Sequence, residues 1–306
     1  MKRLLFPALC GMLLLGAEPP AAMKLARQAY EAAREGRVEE AVNGLREAAR
    51  LAPANALYRS ALGGLFEKQG KLEEAVEEFG VAARLDPQFR ERWEAVSLEW
   101  GAELARARRF RSGLAFAQQT AARFPQSARA AIMQGLFFTR NQQNLAAVDA
   151  YRRAVTLAPD SPEANVGLGI AQSSAGMLPE AAATFEDGLR RFPRDATHRQ
   201  AYGVLLVKRF ETGEAEAAAR AAAMLDSALL IDGTLAEAHY QLGALALAGG
   251  DASAAVAKFA SAAALGLDDA RIYYAWARAL RRLGRGGEAD EHLTLFRARK
   301  DTELTQ

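Results

Sequence analysis

Five prolines recur along this chain at a nearly constant interval, and this spacing restricts the folds that the chain can adopt. The intervals are 34, 38, 34 and 34 residues, and each proline follows a stretch of alanine-rich amphipathic helix. A fixed period in this range is typical of a structural unit that cannot bury its apolar face alone, so that neighbouring copies stack into one core. The sequence therefore predicts a tandem array. The prolines are Pro53, Pro87, Pro125, Pro159 and Pro193.

The same residue types recur in phase within each period. In one copy a small residue, Gly169, lies in the first helix, while Ala181 and bulky Phe185 lie four positions apart in the second. This spacing places both on one helix face, so that the ring can enter the gap left by a small residue. Gly176, between the two helices, suits a tight turn at positive φ. The pattern predicts interlocked helix pairs.

Two copies are longer than the others. The first helix of the third copy gains 4 residues, since Pro87 and Gly101 are 14 positions apart where Pro53 and Gly63 are 10 apart. Four residues add about one helical turn. The sixth copy gains 6 residues near 210–219, in or beside its inner turn. Such an insertion is either a tolerated surface elongation or a functional feature at one edge of the array.

The chain resembles the tetratricopeptide repeat proteins. This resemblance implies an all-α fold, a right-handed α-solenoid of antiparallel helix pairs. The motif tryptophan is missing from most copies, and Leu267 replaces the proline of the seventh. The residues that carry the resemblance are Leu62, Gly63, Phe66, Ala75, Phe79, Ala82 and Pro87 in one copy, and Leu168, Gly169, Ala181, Phe185 and Pro193 in another.

The predicted organisation has a signal peptide at 1–17, a linker at 18–21, a solenoid at 22–300 and a tail at 301–306. The predicted solenoid has seven to eight repeats. Their approximate bounds are 22–55, 56–89, 90–127, 128–161, 162–195, 196–235, 236–269 and 270–300.

The N-terminal segment is typical of a secretory signal. Lys2 and Arg3 precede an uncharged run that ends in small residues up to Ala17. The run is shorter than the roughly 20 residues of a spanning helix, and Pro7 interrupts it, so an uncleaved membrane anchor is less favoured. Cys10 is the sole cysteine, and cleavage after Ala17 would leave none. We expect an exported bacterial protein, periplasmic or secreted.

The resemblance further implies that the first helix of each repeat lines a concave groove through the second, fifth, ninth and twelfth positions. The middle of this groove is aliphatic, and arginines crowd its far end, where they could grip anions or, as we favour, solvate the terminal repeat. The predicted partner-binding residues are Ile132, Leu136, Thr139, Val166, Ile170, Ser173, Val204, Val207, Tyr240, Tyr274 and Arg278.

An aliphatic groove with a polar rim suits an apolar helix or an extended peptide. We therefore expect a non-enzymatic protein–protein interaction scaffold that binds a partner segment. The alternative is a subunit of a bacterial cell-envelope assembly or secretion machine that docks through its convex face or the 210–219 insertion. Close stacking of the helices could bury some groove positions. The residues leave open the oligomeric state and whether peptide, lipid or carbohydrate enters the groove.

Composition argues against several other functions. The three histidines, His198, His239 and His292, fall in separate repeats without metal-ligand spacing, so no metal site is expected. Phosphate-binding glycine loops and nucleophile elbows are missing, and neither an enzyme nor a cofactor is predicted. Loss of Lys2 and Arg3 from 39 basic residues would balance the 37 acidic ones, so nucleic acid is not an expected partner.

Overall fold

The computed structural model describes residues 18–304, and within this range the chain is helical, with sixteen α-helices, one short 3-10 turn at Pro87–Phe89 and no strand. The predicted signal peptide, 1–17, lies outside the described residues. None of the helices in the described range combines the length and apolar character needed to cross a bilayer. The helices are α1 (Pro20–Arg34), α2 (Val38–Leu51), α3 (Ala56–Lys68), α4 (Leu72–Leu85), α5 (Arg90–Arg106), α6 (Phe110–Arg123), α7 (Ala128–Arg140), α8 (Asn144–Leu157), α9 (Pro162–Ser174), α10 (Leu178–Arg191), α11 (Ala196–Glu211), α12 (Ala217–Ile231), α13 (Ala236–Ala248), α14 (Ala252–Ala264), α15 (Ala270–Arg282) and α16 (Gly286–Leu304).

These helices form two compact units, the first ending at Arg109 and the second beginning at Phe110. The N-terminal unit contains α1–α5 and the C-terminal unit α6–α16. The boundary falls inside the predicted third repeat, 90–127, whose sequence pattern continues across it. Apart from α5, which packs on α4 at the end of the N-terminal unit, each odd-numbered helix packs against the even-numbered helix that follows it, as in α3 with α4 and α11 with α12. The predicted fold class, an α-solenoid of helix pairs, is confirmed.

The recurring prolines stand two residues beyond the ends of second helices. Pro159 follows the end of α8 at Leu157, where a residue without a backbone N–H cannot continue the helix. Two residues later a polar side chain caps the next first helix: Ser161 Oγ accepts a hydrogen bond 3.1 Å long from the Ala164 N–H. Such a cap satisfies a backbone donor that has no partner within the helix. Asn55, Ser127 and Asp195 cap α3, α7 and α11 in the same way.

The turns within the helix pairs follow the predicted glycine pattern. Gly176, between α9 and α10, has φ +80°, a conformation that costs glycine little and strains most other residues. Gln142 holds the corresponding turn between α7 and α8 at φ 59°. The geometry of the turn is therefore retained where the glycine is absent.

The small and bulky positions interlock across each pair. A Cβ added at Gly169 in α9 would lie 2.5 Å from the ring of buried Phe185 in α10, closer than carbon atoms can approach. Phe185 belongs to a core cluster that also contains Leu205 of α11 and Leu225 of α12. The core therefore continues from one repeat to the next, which confirms the stacking predicted from the period.

The two insertions lie where the spacing locates them. The α5 helix has 17 residues and α3 has 13, a difference of one turn. In the sixth repeat the added residues lengthen α11 to 16 residues, widen the inner turn to residues 212–216 and lengthen α12 to 15 residues. The insertion therefore extends α11 beyond the length of the neighbouring first helices.

Candidate functional site

Every predicted groove residue lies on a first helix of the C-terminal unit, and these helices contact one another in chain order. The helices are α7, α9, α11, α13 and α15. The second helices are packed against them, so that each first helix has one face left for the groove. We call this surface the first-helix face.

The middle of the first-helix face is more closed than the sequence predicts. Val166 is 7% exposed and Val207 is 4% exposed, and both belong to the core cluster around Leu205. The expectation that Val166 is accessible to a partner is therefore wrong, because its short side chain ends among the packed helices. Ile170, one turn further along α9, is 42% exposed.

The remaining aliphatic positions in the middle, Ile132, Leu136 and Val204, are half-buried. Ile132 packs against a small cluster of buried alanines. The middle therefore offers a shallow apolar strip, and binding of a partner there stays a prediction.

The polar positions of the middle have local partners. The Thr139 hydroxyl donates to the Gly135 carbonyl at 2.9 Å, and the Ser173 carbonyl accepts from the Lys208 ammonium at 2.6 Å. Arg282 donates in the same manner to the carbonyl of Leu247, one repeat earlier. A positive charge at the C-terminus of a helix complements the helix dipole. These cations thus tie consecutive first helices together.

A cavity of about 360 Å³ opens on the first-helix face between α11, α13 and α15. Ala244, which lines it, occupies the same repeat position as Ile170 in α9, so a methyl group replaces a branched chain and leaves space between helices. Leu247, at the same repeat position as Ser173 and Val207, also lines the cavity. The structure brings together four of the predicted partner-binding residues at this site: Val207, Tyr240, Tyr274 and Arg278.

The added turn of α11 supplies two further lining residues, Phe210 and Glu211. The neighbouring first helices α9 and α13 end at the repeat position equivalent to Lys208, and Phe210 and Glu211 lie beyond it. Arg209 pairs with Glu214 at 2.7 Å and so connects this added turn to the inner loop. The sequence located the insertion but assigned it to a separate docking surface. The structure shows that the insertion forms part of the cavity wall.

The five arginines that crowd the far end of the predicted groove have two kinds of surroundings. Arg281 pairs with Asp290 of α16 at 3.3 Å, and Arg285 pairs with Glu288, as expected for a solvated terminal repeat. The other three, Arg271, Arg278 and Arg282, line the cavity. Two arginines of the predicted cluster are therefore paired with acids of the terminal helix pair, and three lie in the cavity lining.

Each of the three cavity arginines has different neighbours. Arg271 is held by Glu237 at 3.2 Å and by Asp269 at 2.6 Å. Arg278 is exposed, with its guanidinium 6.0 Å from the centre of the Tyr274 ring. Among residues 18–302, neither Arg278 nor Arg282 has a carboxylate partner in an ion pair.

Two tyrosines present aromatic surface to the cavity. Tyr240 lies between the Arg271 guanidinium, 5.0 Å from its ring centre, and Phe259, at 5.8 Å. Burial raises the pKa of Tyr240 above its ordinary value, so its hydroxyl stays protonated near neutral pH. Tyr274 is 48% exposed and packs on Phe296 of α16 at 5.3 Å. Both rings therefore lie next to an arginine, an arrangement suited to apolar and anionic groups together.

The histidines occupy packing positions. His198 is buried, with Nε2 3.1 Å from the Asn165 Oδ1 atom and its ring centre 5.1 Å from that of Phe192. His292 lies edge-on to Trp276 at 4.2 Å. Within the described side chains, no group of three or more His, Cys, Asp and Glu residues is arranged to hold a metal ion.

Comparison with known structures shows the same fold in other proteins. A tetratricopeptide repeat protein from Parabacteroides merdae is 20% identical, with a TM-score of 0.56 over 86% of this chain and 100% of its own. A thermophilic protein of the same repeat type from Thermus thermophilus is 22% identical, with a TM-score of 0.53 over 58% of this chain and 94% of its own. A chain in the APC/C hetero-tetramer Cut9–Hcn1 is 17% identical, with a TM-score of 0.61 over 90% of this chain and 52% of its own. At these identities the likeness concerns the fold.

Sequence comparison identifies the family. No curated protein sequence matches the chain. One family model described as tetratricopeptide repeat matches residues 26–88 and 98–162, and another with the same description matches residues 138–205. Together the two models cover more than half of the chain. The chain therefore belongs to the tetratricopeptide repeat family.

Proposed function

We propose that this protein is a non-enzymatic scaffold that binds a segment of a partner protein on the first-helix face of its C-terminal unit. The tetratricopeptide repeat fold is in general a scaffold for protein–protein interaction, and a chain of this fold takes part in the Cut9–Hcn1 hetero-tetramer. The observation that carries the proposal is the cavity between α11, α13 and α15. It is built from predicted groove positions and enlarged by the insertion.

The partner segment uses the cavity as its main anchor. Tyrosine and arginine are enriched among the residues that contribute most to protein interfaces, and Tyr240, Tyr274 and Arg278 meet here. Ile170 and Val204 on the neighbouring helices extend the contact as a weaker apolar strip. A side chain that enters the cavity therefore fixes the position of the segment, and the strip adds contact area.

Site-specific photo-cross-linking tests this proposal. A benzophenone side chain at position 274 is expected to cross-link a partner in the native host, because Tyr274 borders the cavity. The matched control is the same side chain at position 145, where Leu145 is exposed on second helix α8. Cross-linking from position 274 that is lost on Tyr240→Ala supports the proposal. Equal products from both positions contradict it.

One observation favours the alternative of an envelope-assembly subunit that docks through the outer face. Leu230, near the end of second helix α12, is 89% exposed, and its neighbour Ile231 is also exposed. Two adjacent exposed aliphatic side chains are a candidate contact. If Leu230→Asp prevents co-purification of the partner while Tyr274→Ala does not, the outer face is the binding surface.

The proposal includes export from the cytoplasm. It is supported by Lys2 and Arg3 ahead of an uncharged apolar run that ends near Ala17. A fusion to alkaline phosphatase, which is active only after export, is expected to show activity. Leu13→Arg combined with Leu14→Arg is expected to abolish that activity. If the fusion is equally active with and without both arginines, the run is not an export signal.

A further inference from the structure

The charged groups of the cavity are unevenly paired. Arg271 is already held by two carboxylates, Glu237 and Asp269. Arg278 and Arg282 have no carboxylate partner within the described side chains, and Glu211 in the same lining has no cationic partner there. The cavity therefore has two unpaired guanidinium groups and one unpaired carboxylate. With Glu237 and Asp269 counted, three positive and three negative groups surround the cavity, so the excess of one positive charge is confined to the unpaired groups at Arg278, Arg282 and Glu211.

Both unpaired guanidinium groups have a neighbour on the cavity side. The Arg278 guanidinium lies 6.0 Å from the centre of the Tyr274 ring, a distance that suits a cation–π contact and leaves its N–H groups available for an anion. Arg282 donates one N–H to the Leu247 carbonyl. This hydrogen bond positions the guanidinium group, whose other N–H donors stay available. The arginine side chains are thus partly ordered before any partner binds, so less conformational entropy is lost on binding.

The remaining lining is apolar. Val207, Phe210 and Leu245 lie on the α11 and α13 sides of the cavity, and Tyr240 adds an aromatic face. Apolar surface next to an unpaired cation favours a ligand that is itself apolar with a single negative charge. A phosphate group with two charges, or a nucleic acid strand with many, would meet Glu211 without a compensating cation. A carboxylate requires only one positive charge.

We infer that the cavity between α11, α13 and α15 binds an aspartate or glutamate side chain flanked by apolar residues in the partner segment, an inference that rests on the proposed function. The carboxylate is held by Arg278 and Arg282, and the flanking residues pack on Tyr240, Tyr274 and Phe210. An internal acidic side chain serves as well as a chain terminus, because the binding groups recognise the carboxylate alone.

Peptide binding to the full-length protein tests this inference by fluorescence anisotropy. The probes are acetylated, amidated nonapeptides, each with one glutamate or aspartate between leucine and phenylalanine residues. Each has a twin in which glutamine or asparagine replaces the acid. We expect the acidic probes to bind at least about tenfold more tightly than their twins, the usual scale for a hydrogen-bonded charged pair. Arg278→Gln is expected to remove this preference.

The matched control is Arg281→Gln on the same helix. Arg281 is paired with Asp290 and does not line the cavity, so its loss should leave the preference intact. Both arginines are exposed, and unchanged circular dichroism melting of the variants separates binding from folding. Equal loss of preference in both variants would mean that general surface charge, and not this cavity, selects the acidic probes.

The outcomes separate this inference from the proposed function. If acid and amide twins bind equally and both lose binding on Tyr274→Ala, the carboxylate inference is wrong and the groove proposal stands. If no probe responds to Tyr274→Ala or Tyr240→Ala, the groove proposal itself fails. Tighter binding of a phosphoserine twin or a single-stranded oligonucleotide through Arg278 would overturn the choice of a carboxylate.

Discussion

The first-helix face of the C-terminal unit is closed in its middle and open at its end, although the same repeat builds both regions. In the middle, α9 buries Val166 and Asn165 against the next repeat. At the end, the cavity between α11, α13 and α15 leaves Tyr274 about half exposed. Surface that the repeat pattern treats as equivalent therefore differs in accessibility.

Two local departures from the repeat account for this difference. Alanine at position 244 replaces the branched chain that the middle repeats have at this position, Ile170 in α9 and Val204 in α11. The insertion then lengthens α11 so that Phe210 reaches the same space. One change removes volume between the first helices, and the other adds a wall. The cavity thus forms where the repeat is irregular, while the regular copies mainly form the core.

Among the substitutions that test this difference in accessibility, Val166→Asp should lower the stability of the protein most. A carboxylate at this position would be buried in the apolar cluster around Leu205, so we expect the free energy of unfolding to fall by about 3–5 kcal/mol. Ile170→Asp, one turn along the same helix and exposed, should cost less than about 1 kcal/mol. Urea denaturation measures both. Equal stability of the two variants would mean that the middle is as accessible as the sequence predicts.

The substitution Gly169→Ala tests how tightly the helices of the middle are packed. The new methyl group meets the Phe185 ring, and such overpacking costs about 1–3 kcal/mol, against a gain of up to about 1 kcal/mol in helix propensity. Phe185→Leu in the same chain should recover part of the loss. At the open end, Ala244→Val should change stability by less than about 1 kcal/mol. If both substitutions cost the same, the two regions are equally dense.

Much of the fold could be predicted from the sequence, because its determinants are local. Pro159 and Gly176 set where helices end and turn, and the spacing from Gly203 to Ala221 located the surplus residues of the sixth repeat. The boundary between Arg109 and Phe110 could not be predicted, since the repeat pattern is continuous there. A period identifies the repeats, but it does not show how repeats group into compact units.

The site could be predicted only in part. Tyr240, Tyr274 and Arg278 were identified because they occupy groove positions of the repeat. Val166 also occupies one, yet it is buried, since accessibility depends on how closely neighbouring helices approach and not on repeat position alone. Phe210 was placed in the insertion, but its direction depends on the helix continuing for one more turn. The sequence shows that residues are added in this repeat, but it does not show that they continue α11 as a helix.

Acidification should weaken the closed middle through His198. Burial lowers the pKa of His198 below its ordinary value of 6.5, even though nearby Asp195 opposes the shift. The unfolded chain then takes up a proton at higher pH than the folded chain. Stability is therefore complete above about pH 7 and falls as the pH drops through 6.5 towards the folded pKa, by at most about 1.4 kcal/mol per pH unit.

Urea denaturation between pH 7.5 and 5 measures this dependence. His198→Gln should flatten it, because Asn165 and Asp195 would then face a group that does not titrate in this range. Burial also lowers the pKa of His292, in the last repeat, so His292→Gln should reduce the remaining slope further. An unchanged slope in the His198 variant would show that the ring is not sealed within the middle repeats.

The smallest expected effect concerns the added turn that encloses the open end. Arg209→Gln removes the ion pair with Glu214. Because the Arg209 and Glu214 side chains are each about a third exposed, the free energy of unfolding should fall by less than about 1 kcal/mol. The local effect should be larger, because the pair joins α11 to the loop at 212–216. We expect faster hydrogen exchange of amides in that loop.

The control Arg152→Gln removes an exposed pair with Asp149 on α8 and should leave exchange in the loop unchanged. Unchanged exchange in the Arg209 variant would mean that backbone bonds alone, such as the one from Glu214 N–H to the Arg209 carbonyl, hold Phe210 in the cavity wall.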